Sequence, residues 1–327
     1  MKVLIIGAAG MLGRKLAERL AADGRIGASP IGTMHLVDVV SPPVNEGRPA
    51  VETEVADLSS QGTAEKLIAA RPDVIFHLAA IVSGEAEADF EKGYRINLDG
   101  TRELFEAVRR AHEADGYRPR LVFASSIAVF GAPFPERIPD SFHLTPLTSY
   151  GTQKAIGELL LADYSRRGFF DGIGLRLPTI CIRPGQPNKA ASGFFSNILR
   201  EPINGEEAVL PVGEDVRHWF ASPRAAVEFF IHAATLDLET VGPRRNLTMP
   251  GLAATVGEEI AALERMVGPE AAGRIRREPD ATIAGIVAGW PRAFEAQRAC
   301  ELGFEAETDF DEIIRVYLEE EGGGSAV

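Results

Sequence analysis

The chain has 327 residues, 45% hydrophobic and 25% charged, and its 34 Lys+Arg against 47 Asp+Glu leave a formal charge of -13. Such a composition excludes a fibre or a disordered tail protein, and the acidic balance argues against nucleic acid or an anionic membrane as the main partner. Cys181 and Cys300 are too few for a disulfide framework and fit no metal spacing, so no metal is expected and a reducing cytoplasm is the expected compartment.

In chain order, the run Val3-Leu4-Ile5-Ile6 is too short for a signal peptide and breaks at once into glycines, so it reads as a buried strand and a turn. No later apolar run approaches the ~20 residues that a membrane-spanning helix needs. Short apolar runs at 2–6, 34–39, 51–55, 73–77, 120–124 and 172–177 predict strands. Between them, apolar residues recur at helical spacing over 12–22, 63–70, 100–112 and 152–166. Near-continuous Val/Ile/Leu strands alternating with helices imply a parallel sheet covered on both faces. From about Pro184 Gly and Pro become frequent, and helices over 225–235, 255–266 and 293–301 lack that alternation. The expected organisation is a nucleotide-binding domain over 1–183 and a smaller, mixed lobe over 184–321, pieces of which can rejoin the main sheet. A flexible Gly-rich tail follows over 322–327.

The sequence Gly7-Ala8-Ala9-Gly10-Met11-Leu12-Gly13 lies between the first strand and the first helix. There, backbone N–H groups and the helix dipole converge on one point, which suits a pyrophosphate. Asp38 ends the second strand, where a carboxylate accepts from ribose hydroxyls and repels a 2′-phosphate, so NAD is expected rather than NADP. Asp57 ends the third strand. It either accepts from the adenine amino group or caps the helix after Ser59.

Tyr150 and Lys154 stand four residues apart on one helix face. A phenol titrates near ~10 unperturbed, and an adjacent ammonium favours its phenolate, which can take a proton from a substrate hydroxyl while hydride leaves the same carbon. Ser125 and Ser126 follow the strand at 120–124, where α/β sheets present side chains to ligands. Either hydroxyl could bond the reacting oxygen, and spacing leaves the choice open.

Together with His77-Leu78-Ala79-Ala80, Asn97-Leu98-Asp99-Gly100-Thr101 and Arg298-Ala299-Cys300-Glu301-Leu302-Gly303-Phe304, these motifs make nearly the whole chain resemble an extended short-chain dehydrogenase/reductase. The resemblance implies a Rossmann-type doubly wound parallel sheet with a smaller, mixed C-terminal substrate lobe. It implies Ser126 as the catalytic serine, Tyr150 as the base, Lys154 on the nicotinamide ribose and Asn97 supporting Lys154 through a water. It implies NAD contacts from Gly7, Ala9, Gly10, Met11, Leu12, Gly13, Asp38, Asp57, Leu58, Leu78, Ala79, Ala80, Asn97, Ser126, Tyr150, Lys154, Pro178 and Ile180. By the same analogy, the helices at 100–112 and 152–166 would form a four-helix homodimer interface.

Nucleotide-sugar members usually carry Arg-x-x-Asn followed by an aromatic-Gly-Pro turn. Here Arg176 is followed by Thr179, and Cys181-Ile182 replaces the aromatic-Gly pair, while Arg217-His218-Trp219-Phe220 replaces the usual Arg-Asp-Phe. These departures favour a compact, cationic site for a small-molecule carboxylate, such as a four-carbon sugar acid oxidised at the hydroxyl beside its carboxylate. Arg217 is the first choice for that carboxylate, with Arg183 and Lys189 behind it. Ser83, Ser126, Tyr150 and Thr179 are the candidates for substrate hydroxyls. The competing readings are a nucleotide-sugar epimerase or dehydratase with tightly bound NAD, and an enzyme like L-threonine 3-dehydrogenase. His218 reads as a substrate contact or packing residue, and His77 as structural.

Overall fold

The computed structural model describes residues 1–43, 49–185 and 192–322. Lys189 and the end of the expected tail lie outside them. Among the described residues, seven strands form the central sheet: β1 (Lys2–Ile6), β2 (Thr33–Asp38), β3 (Ala50–Val55), β4 (Val74–His77), β5 (Arg120–Ser126), β6 (Asp171–Leu177) and β7 (Asn246–Thr248). Their spatial order is β3-β2-β1-β4-β5-β6-β7. β1 pairs in parallel with β2 and β4, and β2–β3 and β4–β5 are parallel as well. The order reverses between β1 and β4, and ligands of doubly wound sheets bind at such a switch point, outside the carboxyl ends of the strands. Val3, Leu4, Ile5 and Ile6 are all buried, as a strand covered on both faces requires.

The helices α1 (Met11–Asp23), α2 (Thr63–Ala69), α3 (Gly100–Asp115) and α4 (Ser149–Arg166) lie where the sequence periodicity puts them. α4 begins three residues earlier than the apolar spacing predicts, because the Thr148 hydroxyl caps it by accepting from the Gly151 N–H at 3.0 Å. The expected helix over 293–301 shrinks to Gln297–Glu301. Ahead of it Phe294 bridges to Ile138, with Ile138 N–H on the Ala293 carbonyl and Glu295 N–H on that of Ile138, both at 3.0 Å. That pairing holds 293–295 extended. The helices Gly193–Ile203 and Phe310–Glu320 are not among those expected from the sequence.

Two compact units emerge. The first comprises Met1–Val129, Thr148–Arg176 and Val227–Leu247, and the second Phe130–Leu147, Leu177–Ala226 and the chain from Thr248 onward. Each is therefore assembled from separated stretches of chain. In the first unit a core of Leu4, Ile6, Leu67, Ile75, Leu104, Phe105, Phe123 and Phe170 joins the sheet to its helices. In the second, Cys181, Phe195, Phe220, Leu263, Phe310 and Ile314 belong to a core of their own.

Candidate active site

The glycine turn leaves β1 at Gly7, whose φ of +92° excludes most side chains, and whose missing Cβ would stand 2.6 Å from the Ala79 nitrogen. Gly13 is required too, since a Cβ there would lie 2.1 Å from the Gly7 carbonyl oxygen. Gly10 is different. Its backbone is ordinary, and a Cβ would meet nothing nearer than the Gly7 oxygen at 3.4 Å. The protein itself does not need a glycine there. Gly10 is exposed at the N-terminus of α1, where no side chain caps the helix and its first turn holds no acid. An exposed, uncapped helix start without a side chain fits the close approach of a pyrophosphate, with Ala9, Met11 and Leu12 completing the turn.

Asp38, at the end of β2, is half-buried. Its carboxylate accepts from the Ala9 N–H at 2.8 Å and the Val39 N–H at 2.7 Å, so the group expected to face a ribose also holds the glycine turn. Asp57 does not cap a helix, because α2 starts at Thr63 behind Gly62. It accepts from the Ser59 N–H at 2.8 Å, the Ser59 hydroxyl at 2.6 Å and Arg95 at 3.1 Å. Burial pushes Asp57 upward, but these donors outweigh it and hold the carboxyl below its usual range. Leu58 is buried beside it, and Leu78, Ala79 and Ala80 follow β4 half-buried.

The two adjacent serines separate clearly. Ser125 is buried and donates its hydroxyl to Glu158 at 2.6 Å. Ser126 ends β5 half-buried, its oxygen accepting from the Ala128 N–H at 3.1 Å, which leaves its proton to donate elsewhere. Lys154 is 2% exposed, donates to the Ala124 carbonyl at 2.8 Å, and holds Nζ 5.8 Å from the centre of the Tyr150 ring. Burial lowers its pKa to about 8, against the opposing charge of Glu158. Glu158 is one further helical turn along α4. It is fixed by a two-pronged pair with Arg176 of β6, at 3.0 Å from Nε and 2.8 Å from Nη2.

Asn97 lies in a π-helical turn, Tyr94–Asp99, which runs into α3. Its amide accepts from the Ile81 N–H at 2.8 Å and donates to the Gln153 side chain at 2.8 Å, next door to Lys154. Thr101 donates to the Asn97 carbonyl at 2.8 Å, and His77 Nε2 is 2.8 Å from the Thr101 hydroxyl. Burial, and then the charge of Lys154, lower the pKa of His77 to about 3, so the ring is neutral and structural. Ser83 opens the short helix Ser83–Ala88, and Glu87 of that helix accepts from the Ser149 N–H at 2.9 Å.

In the second unit Pro178 and Ile180 are buried around half-buried Thr179. The Thr179 hydroxyl is 2.7 Å from His218 Nε2. Arg183 donates through Nε to the Ile180 carbonyl and through Nη2 to Ser192, each at 2.9 Å. Arg217 is more exposed. It donates to the Ala253 carbonyl at 2.9 Å and pairs with Glu258 at 3.4 Å.

The model of the NAD dependent epimerase/dehydratase family matches residues 3–236, well over half of the chain. The chain belongs to that family. Within the family, a solved structure described as the nucleoside-diphosphate-sugar epimerase from Agrobacterium tumefaciens is 67% identical and superposes with a TM-score of 0.97, covering 99% of this chain and 95% of that one. D-erythronate dehydrogenase of Cupriavidus necator is 46% identical over 98% of this chain and 99% of its own length. The D-erythronate dehydrogenase of Haemophilus influenzae is 43% identical, again over 98% and 99%. For an epimerase/dehydratase chain, the Glu158–Arg176 pair and the Thr179–His218 contact are the features that sequence reasoning passed over. Glu158 stands at i+4 from Lys154 and i+8 from Tyr150, a spacing that puts it on the face of α4 that carries both. The Thr179–His218 contact joins residues 39 apart and left no local signal.

Proposed function

We propose that the protein oxidises the 2-hydroxyl of D-erythronate to 2-oxo-D-erythronate with NAD as the oxidant. The observation that carries the chemistry is the Ser126–Tyr150–Lys154 set, with a buried ammonium 5.8 Å from the phenol ring and Ser125 diverted to Glu158. Similarity to two D-erythronate dehydrogenases along their whole length supports the substrate. Bound NAD supplies the hydride acceptor. Tyr150 takes the proton of the 2-hydroxyl, Ser126 donates to that oxygen, and the Lys154 charge favours the phenolate and holds the nicotinamide ribose. Asn97, locked to Ile81 and to Gln153 beside Lys154, supports Lys154 through a water.

Gly7, Ala9, Gly10, Met11, Leu12 and Gly13 hold the pyrophosphate, Asp38 the adenine ribose and Asp57 the adenine amino group. Leu58, Leu78, Ala79, Ala80, Pro178 and Ile180 line the cofactor. Arg217 pairs with the substrate carboxylate in exchange for Glu258, with Arg183 behind it, and Ser83 and Thr179 take the remaining hydroxyls. The enzyme works in the cytoplasm as a homodimer through α3 and α4; Leu159 on α4 is a large apolar side chain 65% exposed, as a covered face requires.

The description of the Agrobacterium structure favours a second reading, a nucleotide-sugar epimerase that regenerates its NAD each cycle. D-erythronate carrying deuterium at carbon 2 tests the proposal. Oxidation at that carbon is slowed and moves the label into NADH, whereas unlabelled NADH would place the reaction at another carbon.

A further inference from the structure

The Thr179–His218 contact has a direction that can be worked out from the groups around it. His218 is 2% exposed in the second unit's core, its ring stacked on Phe195 at 5.2 Å between centroids and 5.3 Å from Trp290. Nδ1 lies 2.9 Å from the carbonyl oxygen of Pro291. A carbonyl oxygen only accepts, so Nδ1 carries the proton. Burial, with the nearby Arg183 charge, lowers the ring's pKa to about 4 against the pull of Pro291, so the imidazole is neutral. A neutral imidazole protonated on Nδ1 has a bare lone pair on Nε2. Across the 2.7 Å contact, the hydroxyl of Thr179 must therefore be the donor. Its single proton is spent on His218. What Thr179 offers to anything else is oxygen lone pairs alone.

We infer that Thr179 is an acceptor-only specificity residue that reads a substrate hydroxyl left intact by the reaction, and that His218 is the positioning residue that enforces this polarity. The inference rests on Thr179 touching the substrate of the proposed reaction. Its consequences are chemical. A carboxylate and a diphosphate present only acceptors, so both are repelled by such an oxygen, and Thr179 cannot hold either. The hydroxyl that becomes a ketone loses its proton, so it is not the one that stays bonded to Thr179. In a four-carbon 2-hydroxy acid this leaves the hydroxyl on carbon 3 or carbon 4. An asparagine at this position would offer both a donor and an acceptor, and so could serve a phosphate. The threonine with its histidine cannot.

The test compares NADH formation from D-erythronate and from its 3-deoxy and 4-deoxy analogues. Thr179→Val should raise KM for D-erythronate so that kcat/KM falls about 10- to 100-fold, the usual cost of leaving a hydroxyl unpaired, with kcat little changed. One of the two analogues should be insensitive to that substitution within about threefold, and Thr179→Ser should restore most of the loss. His218→Phe keeps the ring and its stacking but releases the Thr179 proton. It should raise KM for D-erythronate without an equal fall in kcat, and should not add its full effect to that of Thr179→Val. Equal sensitivity of all three acids to Thr179→Val, or full additivity of the two substitutions, overturns the inference. Nitrogen-15 NMR of the His218 side chain decides the polarity without any substrate and without a variant that must fold. A protonated Nδ1 with a bare Nε2 supports it, and a protonated Nε2 overturns it. If the wild type reduces NAD with no sugar acid, the proposed substrate is wrong, while the NMR result still decides whether Thr179 is acceptor-only.

Discussion

At the scale of single residues, the site separates groups that look alike in sequence. Ser125 and Ser126 are neighbours of the same type, and spacing could not rank them. The difference lies in a long-range partner, Glu158, which claims the first hydroxyl and leaves the second at the strand end. In the proposed mechanism Tyr150→Phe removes the proton acceptor and little else. It should keep NAD binding, measured by fluorescence titration, and lower kcat by about 10²- to 10⁴-fold. Turnover within threefold of the wild type would mean that another group takes the proton. Asp38 was legible as a candidate ribose acceptor from its place at the end of a strand after a glycine turn. Its second task, receiving the Ala9 N–H, was not, because it depends on how the turn folds back over β2. Asp38→Asn keeps an acceptor for Ala9 while removing the charge. The expected result is a clear drop in the NAD-over-NADP ratio of kcat/KM with the melting temperature nearly unchanged. An unaltered ratio would assign ribose recognition to another residue.

At the scale of elements, α4 carries the proposed proton acceptor and its lysine on one face and their anchor on the same face a turn later. Tyr150, Lys154 and Glu158 succeed one another at four-residue intervals, and Glu158 ties that face to β5 through Ser125 and to β6 through Arg176. Breaking a buried pair from one side leaves an uncompensated charge, so Glu158→Ala should cost about 3–5 kcal/mol of stability in chemical denaturation. A loss below about 1 kcal/mol would show that the pair is dispensable for folding. Buried histidines set a second, pH-dependent property. His77 and His218 have pKa values lowered to about 3 and about 4 in the fold, from 6.5 for the unperturbed ring. Between those values and 6.5 each ring is protonated in the unfolded chain and not in the folded one, so its contribution to stability rises with pH there. It is complete above about 6.5 and is lost as pH falls toward 4, at about 1.4 kcal/mol per pH unit for each ring. Equilibrium unfolding across that range should show His218→Phe with a slope smaller by about one proton. An unchanged slope would mean that the ring is charged in the fold.

The strands and helices of the first unit were legible because a doubly covered strand and an amphipathic helix each imprint their own period on the sequence. The shortened helix at Gln297–Glu301 was not, since the residues before it are held extended by Ile138, 156 positions away from Phe294. No local pattern records such a partner.

For the molecule as a whole, the family was readable from motifs concentrated at the carboxyl ends of β1, β2, β3, β4 and β5 and on α4, where a doubly wound sheet places its ligand. The assembly of each unit from separated stretches was harder to foresee. Residues 130–147 cluster with the second unit and 227–247 with the first, so neither follows a single break in composition. Substrate choice is the part of function that motifs shared across the family cannot carry. In the proposed reading it rests on Thr179, His218, Arg183 and Arg217, of which Thr179 and His218 depart from the nucleotide-sugar pattern. Net reduction of NAD by the purified protein, followed as NADH absorbance with D-erythronate, L-threonine and UDP-glucose offered in parallel, tests that choice most directly. Sustained NADH accumulation with D-erythronate, and none with the other two, is the predicted result. Isomerisation of the UDP-sugar with no release of NADH, and silence with D-erythronate, would contradict it.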